Sequence, residues 1–441
     1  MSRPIVAIVG RPNVGKSTLF NNLAGEQISI VKDTPGITRD RIYVDVDWIG
    51  KAFTLVDTGG IEPNSNDIIL SQMREQAQIA IDTADVIIFM TDVKQGATDA
   101  DDKVADMLRR SKKPVILAVN KVDNFAKQEM DVYEFYNLGI GDPVPISAAS
   151  KLGFGELLDD VVAKFPDNNG DDEEDDTPKV AIVGKPNVGK SSIINRLLGT
   201  NRLIVSNIAG TTRDAVDTRV THNGQDYIFI DTAGLRRQNK IKDELERYMI
   251  IRTVAAVERA DVVIIVIDAT EGVTEQDAKI AGIAHDRGKG IIVAVNKWDA
   301  VPDKNDKTIY EYTRKVRDTL SFMSYAEVIF ISALSGQRLE KLYDMVDVVI
   351  QNQTLRIPTG VLNEILTDAT AMKQPPSDKG VRLRIYYMTQ VAVKPPTFVM
   401  FVNDKALTHF SYTRYIENRI RDAFGFRGTA IHFINRERKE N

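Results

Sequence analysis

Cysteine is absent from all 441 residues, so disulfide staples and thiolate metal centres are excluded, which fits a reducing compartment. Histidine is scarce: His222, His285, His409 and His432 are scattered, no pair has the spacing of a zinc motif, and ordinary packing roles are expected of them. No run approaches the roughly eighteen uninterrupted apolar residues of a membrane helix, and the first ten residues enter a strand without the apolar core of a leader. The expectation is a soluble, cytoplasmic chain. With 43% hydrophobic and 27% charged residues the composition is that of an ordinary globular protein and does not itself point to a function. The length calls for two or three domains, each able to bury a substantial interior.

What is present is one octapeptide written twice. Gly10-Arg11-Pro12-Asn13-Val14-Gly15-Lys16-Ser17 is followed by Thr18, and Gly184-Lys185-Pro186-Asn187-Val188-Gly189-Lys190-Ser191 by Ser192. Each is a G-x-x-x-x-G-K-S loop, whose backbone N–H groups and following helix dipole face phosphate oxygens. Lys16 and Lys190 would neutralise the terminal phosphates, and the Ser17 and Ser191 hydroxyls would ligate Mg²⁺. A lone match can be a simple helix-capping turn. Here both follow an apolar strand (Ile5 to Val9 in the first case) and open an amphipathic helix, which is the context the motif requires.

Beyond the first loop the pattern alternates. Thr38-Arg39-Asp40 lies in a polar segment, and strand-like runs at Arg41 to Trp48 and Ala52 to Val56 flank a hairpin turn at Gly50. Helices are expected around Ile68 to Asp82, Asp99 to Arg109, Met130 to Tyr136 and Glu156 to Phe165, with strands at Val86 to Met90, Val115 to Val119 and Val144 to Ile146. Such alternation means an α/β domain with a doubly wound, mostly parallel sheet, with ligands beyond the carboxyl ends of the strands. The programme restarts at Lys179. Gly10 to Gly184, Thr38 to Thr212 and Asp57 to Asp231 are all shifts of 174, Asn120 to Asn296 is 176, and Ser147 to Ser332 is 185. A duplicated domain explains this, with a longer loop between Asn296 and Ser332. The expected boundaries are 1–166, an acidic linker at 167–178 that buries nothing, 179–353, and a small α+β domain at 354–441. That last domain is expected to hold helices at Val361 to Ala371 and Tyr412 to Phe424 and strands at Val381 to Met388, Thr397 to Val402 and Thr429 to Ile434. It carries 14 Lys and Arg against 8 Asp and Glu, a balance of +6 in a chain whose net charge is −5; this asymmetry points to a nucleic-acid surface.

The remaining motifs specify the nucleotide. Asp57-Thr58-Gly59-Gly60, before Ile61, and Asp231-Thr232-Ala233-Gly234, before Leu235, offer a carboxylate for Mg²⁺ at a strand end; Thr38 and Thr212 offer a second hydroxyl when a γ-phosphate is present. Asn120-Lys121-Val122-Asp123 and Asn296-Lys297-Trp298-Asp299 select the base. The Asp123 and Asp299 carboxylates can accept both guanine N1–H and its 2-amino group, whereas adenine would leave them unpaired. Asn120 and Asn296 are expected on the far edge of the base, the lysine stems over its face, and the amides of Ser147-Ala148 and Ser332-Ala333 at the guanine O6.

The set resembles the translation-factor class of GTPases, and two such domains followed by a small basic one resemble the Der (EngA) family of bacterial ribosome-assembly GTPases over nearly the whole chain. The resemblance implies two tandem P-loop GTPase domains and a C-terminal KH-like domain. It also implies GTP hydrolysis, the large ribosomal subunit or its precursor and ribosomal RNA as partners, and a monomer away from the ribosome. Gly425-Phe426-Arg427-Gly428 fits the KH G-x-x-G pattern, but it lies between a helix and a strand rather than two helices and reads as a helix-ending turn. Ras-like enzymes carry a water-orienting glutamine where this chain has Ile61 and Leu235. The resemblance implies a substitute, since the asparagine matching Asn13 and Asn187 helps related GTPases bind K⁺ beside the phosphates. Arg39 and Arg213 are alternative charge donors. A GTP-regulated adaptor with one slow domain is a second reading; a metabolic phosphotransferase is disfavoured by the guanine motif in both halves.

Overall fold

A computed structural model describes residues 3–25, 42–59, 66–166, 176–200, 217–230, 245–305, 307–378 and 380–438. The first sheet and the second lie in different compact units, and the C-terminal sheet belongs to the same unit as the second.

Strand β1 (Ile5–Gly10) is buried at every position because neighbours flank it on both sides and helices cover both faces. With β2 (Tyr43–Trp48), β3 (Lys51–Asp57), β4 (Val86–Asp92), β5 (Val115–Asn120) and β6 (Pro143–Pro145) it forms a sheet of order β2-β3-β1-β4-β5-β6. Every pair is parallel except the β2/β3 hairpin. That hairpin turns at Ile49 and Gly50, with φ of 51° and 75°, the paired left-handed residues of a tight type I′ turn. Sheet order reverses at β1, so the crevice beyond its carboxyl end is the expected ligand position.

The second sheet repeats the plan: β7 (Lys179–Val183), β8 (Thr218–His222), β9 (Gln225–Ile230), β10 (Val262–Asp268), β11 (Gly290–Asn296) and β12 (Glu327–Phe330), in the order β12-β11-β10-β7-β9-β8. Both cores are mainly aliphatic, with Ile8, Leu19 and Ile88 in the first beside Phe20 and Phe53 and Ile182, Ile193 and Ile264 in the second beside Tyr227 and Phe229. The helix expected at Met130 to Tyr136 instead starts at Phe125, where Asn124 caps it by accepting the Lys127 N–H, and continues as a 3₁₀ turn to Leu138.

The C-terminal layer has a two-residue ladder, β13 (Ser377–Asp378) with β14 (Val381–Arg382), and a sheet of β15 (Ile385–Ala392), β16 (Thr397–Val402) and β17 (His432–Glu437) in that order. Two expectations are corrected here. Val381 to Met388 is not one strand, because buried Leu383 turns into the core and its N–H bonds to Pro376 O at 2.9 Å. The last strand starts at His432 rather than Thr429.

The reason is the Gly425-Phe426-Arg427-Gly428 turn. It ends the helix Phe410–Phe424 as expected, with the Gly425 N–H on Arg421 O at 2.7 Å. It then fastens onto the second sheet. Ile291 N donates to Gly428 O at 2.7 Å and Gly428 N to Tyr325 O at 2.9 Å, while Thr429 bridges Gly290. Arg427 places its planar fork on Glu327, with both bonds at 2.8 Å. A Cβ on Gly428 would stand 2.4 Å from the Val349 side chain, so only glycine permits this approach.

Candidate nucleotide sites

Each octapeptide leaves its strand as a tight loop whose glycines are required by contact as well as by conformation. A Cβ at Gly10 would lie 2.3 Å from Met90 O, and one at Gly184 2.5 Å from Val266 O. At Gly15 and Gly189 it would meet the Asn120 and Asn296 amides at 2.2 Å. Asn13 and Asn187, with φ of 61° and 62°, are exposed at the loop apices, and asparagine is among the few side chains that tolerate this left-handed geometry.

The loop lysines turn inward. Lys16 Nζ donates to Gly10 O at 2.6 Å and Arg11 O at 2.7 Å; Lys190 Nζ does the same with Gly184 O and Lys185 O. Burial of each ammonium lowers its pKa to about 8, against an opposing pull from Asp57 on Lys16 and from Asp277 on Lys190. At the first site Ser17 Oγ donates to Asp57 Oδ2 at 2.9 Å, and Asp57 Oδ1 accepts the Gly59 N–H at 2.8 Å. A hydroxyl and a carboxylate converging at the loop mouth form the hard-oxygen donor set that suits Mg²⁺. Thr38, Gly60, Ile61, Thr212, Asp231, Thr232, Ala233, Gly234 and Leu235 lie outside the described residues.

The base motifs are built from the same strands. Asn120 ends β5 and ties the loops together: its Nδ2 donates to Val14 O at 2.6 Å and its Oδ1 accepts the Ala148 N–H at 2.8 Å. Asn296 repeats this with Val188 O at 2.8 Å and the Ala333 N–H at 2.9 Å. The amides expected at guanine O6 are therefore already engaged: Ser147 N bonds to Leu152 O and Ser332 N to Gln337 O. To serve the base, the alanine N–H must be shared with the asparagine.

Lys121 and Lys297 have positive φ, 67° and 58°, which turns each ammonium back onto a buried carboxylate, Asp92 and Asp268 respectively. These aspartates, at the ends of β4 and β10, join the site although they belong to none of its motifs. The signal was available, because they sit at the same 176-residue shift as the asparagines. Burial opposes ionisation of Asp268, yet Lys297 and Thr270 outweigh it and hold the carboxyl below its usual range. Asp123 points its carboxylate between Lys94 (3.0 Å) and Ser147 Oγ (2.9 Å), which keep it ionised. Among the described residues no cluster of three or more His, Asp or Glu could hold a metal, and no helix is long and apolar enough to cross a membrane.

Two glycine loops at the switch points of two mostly parallel sheets, each tied by an asparagine to the strand end that carries an Asn-Lys-x-Asp motif, define a tandem guanine-nucleotide protein of the P-loop GTPase class. Residues 5–121 and 179–297 match a family described as "50S ribosome-binding GTPase", and 356–436 one described as "KH-domain-like of EngA bacterial GTPase enzymes, C-terminal". The chain is 77% identical over 440 residues to the GTPase Der of Lachnospira eligens, 74% over 441 to that of Agathobacter rectalis and 59% over 440 to that of Acetivibrio thermocellus, each covering 100% of both chains. It belongs to the GTPase Der family and hydrolyses GTP.

Proposed function

We propose that the chain is a GTP-driven switch in assembly of the large ribosomal subunit, docking on the subunit, its precursor or its RNA according to nucleotide state. The observation that carries this reading is one chain holding two guanine sites and a C-terminal layer whose charge is opposite in sign to that of the rest. In this reading the protein works in the cytoplasm as a monomer off the ribosome, with functional divisions at 1–166, 167–178, 179–353 and 354–441.

Each site would set a lysine and a ring of loop N–H groups against the phosphates and a carboxylate against the guanine edge. Ser17, Thr38 and Asp57 would hold Mg²⁺ at the first site, and Ser191, Thr212 and Asp231 at the second; the ion supplies positive charge to the phosphate oxygens. Thr38 and Thr212 link that coordination to the γ-phosphate, which makes their segments the switch. With Ile61 and Leu235 in place of a water-orienting glutamine, extra charge is needed. The exposed amides of Asn13 and Asn187 at the loop apices are the groups proposed to hold K⁺.

Two measurements test this. GTP turnover in potassium buffer should exceed that in sodium buffer, and equal rates would remove the K⁺ role. Co-sedimentation with ribosomal subunits should differ between GTP, GDP and nucleotide-free protein; no association in any state would remove the assembly reading and leave the GTPase intact.

A further inference from the structure

The Gly425-Phe426-Arg427-Gly428 turn, the one KH-like grip pattern in the chain, is fully used in fastening the C-terminal layer to the second sheet. Its amide and carbonyl groups bond Tyr325 and Ile291, and its arginine is held by Glu327. Nucleic acid must therefore meet this layer elsewhere. The outer face of its three-stranded sheet offers the required chemistry.

On that sheet the inward row is Met388, Met400 and Phe398, all buried. Alternation along the strands places Tyr387, Phe401 and Arg436 on the opposite face, and the register sets them in one row, Tyr387 against Phe401 and Phe401 against Arg436. The Tyr387 and Phe401 rings are stacked at 4.2 Å with 14° between their planes, and both are only partly buried. Tyr386, the extra residue of a bulge next to Tyr387, lies under the Arg438 guanidinium at 5.7 Å. Arg384, Arg436 and Arg438 are exposed, and among the described residues neither Arg436 nor Arg438 is held in an ion pair.

We propose that this face is a stacking platform for unpaired bases of single-stranded RNA. A sheet that shows partly exposed rings to solvent has an unfavourable apolar surface that a planar base can cover, and any base will serve because each has a π-face. The flanking guanidinium groups supply phosphate contacts, and being planar they can stack as well. Duplex RNA would satisfy the arginines but not the rings, since its bases are already stacked; an acidic peptide would leave the rings equally unused. The proposal rests on the RNA-docking reading above and assigns the docking surface within it.

The test uses the full chain and a fluorescent ten-nucleotide oligouridylate, with a hairpin duplex RNA as comparison. Wild-type protein should prefer the single strand, and Tyr387→Leu with Phe401→Leu should weaken its binding at least about tenfold. Arg436→Ala with Arg438→Ala should lower the slope of affinity against salt by about two phosphate contacts' worth. GTP turnover should stay at the wild-type rate in all variants, which verifies folding. If the wild type ignores the oligonucleotide, or the leucine variants bind it normally, the platform is overturned. Co-sedimentation separates the two levels: wild type that pellets with ribosomal subunits while either of those results holds sinks the platform alone, whereas wild type that never pellets sinks the docking reading. Leucine variants that keep oligonucleotide affinity but lose ribosome association would mean that the rings meet a protein, and would also overturn it.

Discussion

The two phosphate loops differ at one position of eight, Arg11 against Lys185, and the surroundings of that position differ far more than the sequences do. Arg11 is gripped three ways: Nε on Asp101 Oδ1 at 2.9 Å, Nη1 on Gln95 Oε1 at 2.8 Å and Nη2 on Gly96 O at 3.3 Å. Lys185 has one close partner, the largely exposed Glu271 at 2.8 Å, and reaches Asp277 only at 3.6 Å. Asp101 and Asp277 are equivalent, both fully buried and both completing a capping box, with Thr98 and Thr274. Yet Asp277 is left with Oδ1 unbonded, and burial raises its pKa despite Thr274 and Lys185. A planar fork can saturate a buried carboxylate and its neighbours together; a point charge cannot. The first loop is thus locked to the helix Asp99–Ser111, and the second is held loosely to its counterpart.

The largest test of this contrast is removal of each buried charge. Asp101→Asn should leave the buried Arg11 guanidinium without its anionic partner and cost about 3–5 kcal/mol of local stability, whereas Asp277→Asn should change stability by less than about 1 kcal/mol because Lys185, 3.6 Å away, keeps Glu271 as its close partner. Hydrogen-exchange protection of Asp99–Ser111 and Glu275–Asp286 reports both, and equal losses would erase the distinction. A second test concerns what the loops share. Phosphate binding favours the charged lysine, so affinity should be insensitive to pH below 8 and fall by up to about tenfold per unit as the free-site Lys16 or Lys190 deprotonates above it. Nucleotide titrations on Lys190→Ala and Lys16→Ala proteins isolate the first and second site respectively; a flat profile through pH 9 at either would contradict the buried-ammonium account. The smallest effect is the exchange itself: Arg11→Lys should weaken the first loop by about 1 kcal/mol while Lys185→Arg leaves the second neutral or slightly firmer, read from the exchange rates of the loop amides.

Most of the nucleotide framework was legible because it is local. Strand, glycine loop and helix follow one another in the chain, and β16 spans the expected Thr397 to Val402. What escaped depended on distant partners. Thr429, Ala430 and Ile431 have the composition of a strand, but Thr429 bridges Gly290, 139 residues earlier in the chain, and Ile431 packs into the core of the C-terminal layer. Arg436 to Arg438 looks like a charged tail until β16 supplies a parallel partner. Asp92 and Asp268 carried no motif of their own and gain meaning only when Lys121 and Lys297 fold back onto them. The occupied amides of Ala148 and Ala333 likewise follow from where Asn120 and Asn296 point, which no spacing states.

The fastening of Gly428 to Ile291 also sets an order of events during synthesis. The seat at the start of β11 leaves the ribosome 137 residues before the turn that fills it, an interval of about 7–27 s at 5–20 residues per second. The duplicate half offers no substitute seat, since its residues corresponding to Gly290 and Val349 are Pro114 and Lys164. A second sheet that folds on schedule must wait, already shaped, for its last strap; one that folds late meets the strap before it has anywhere to receive it.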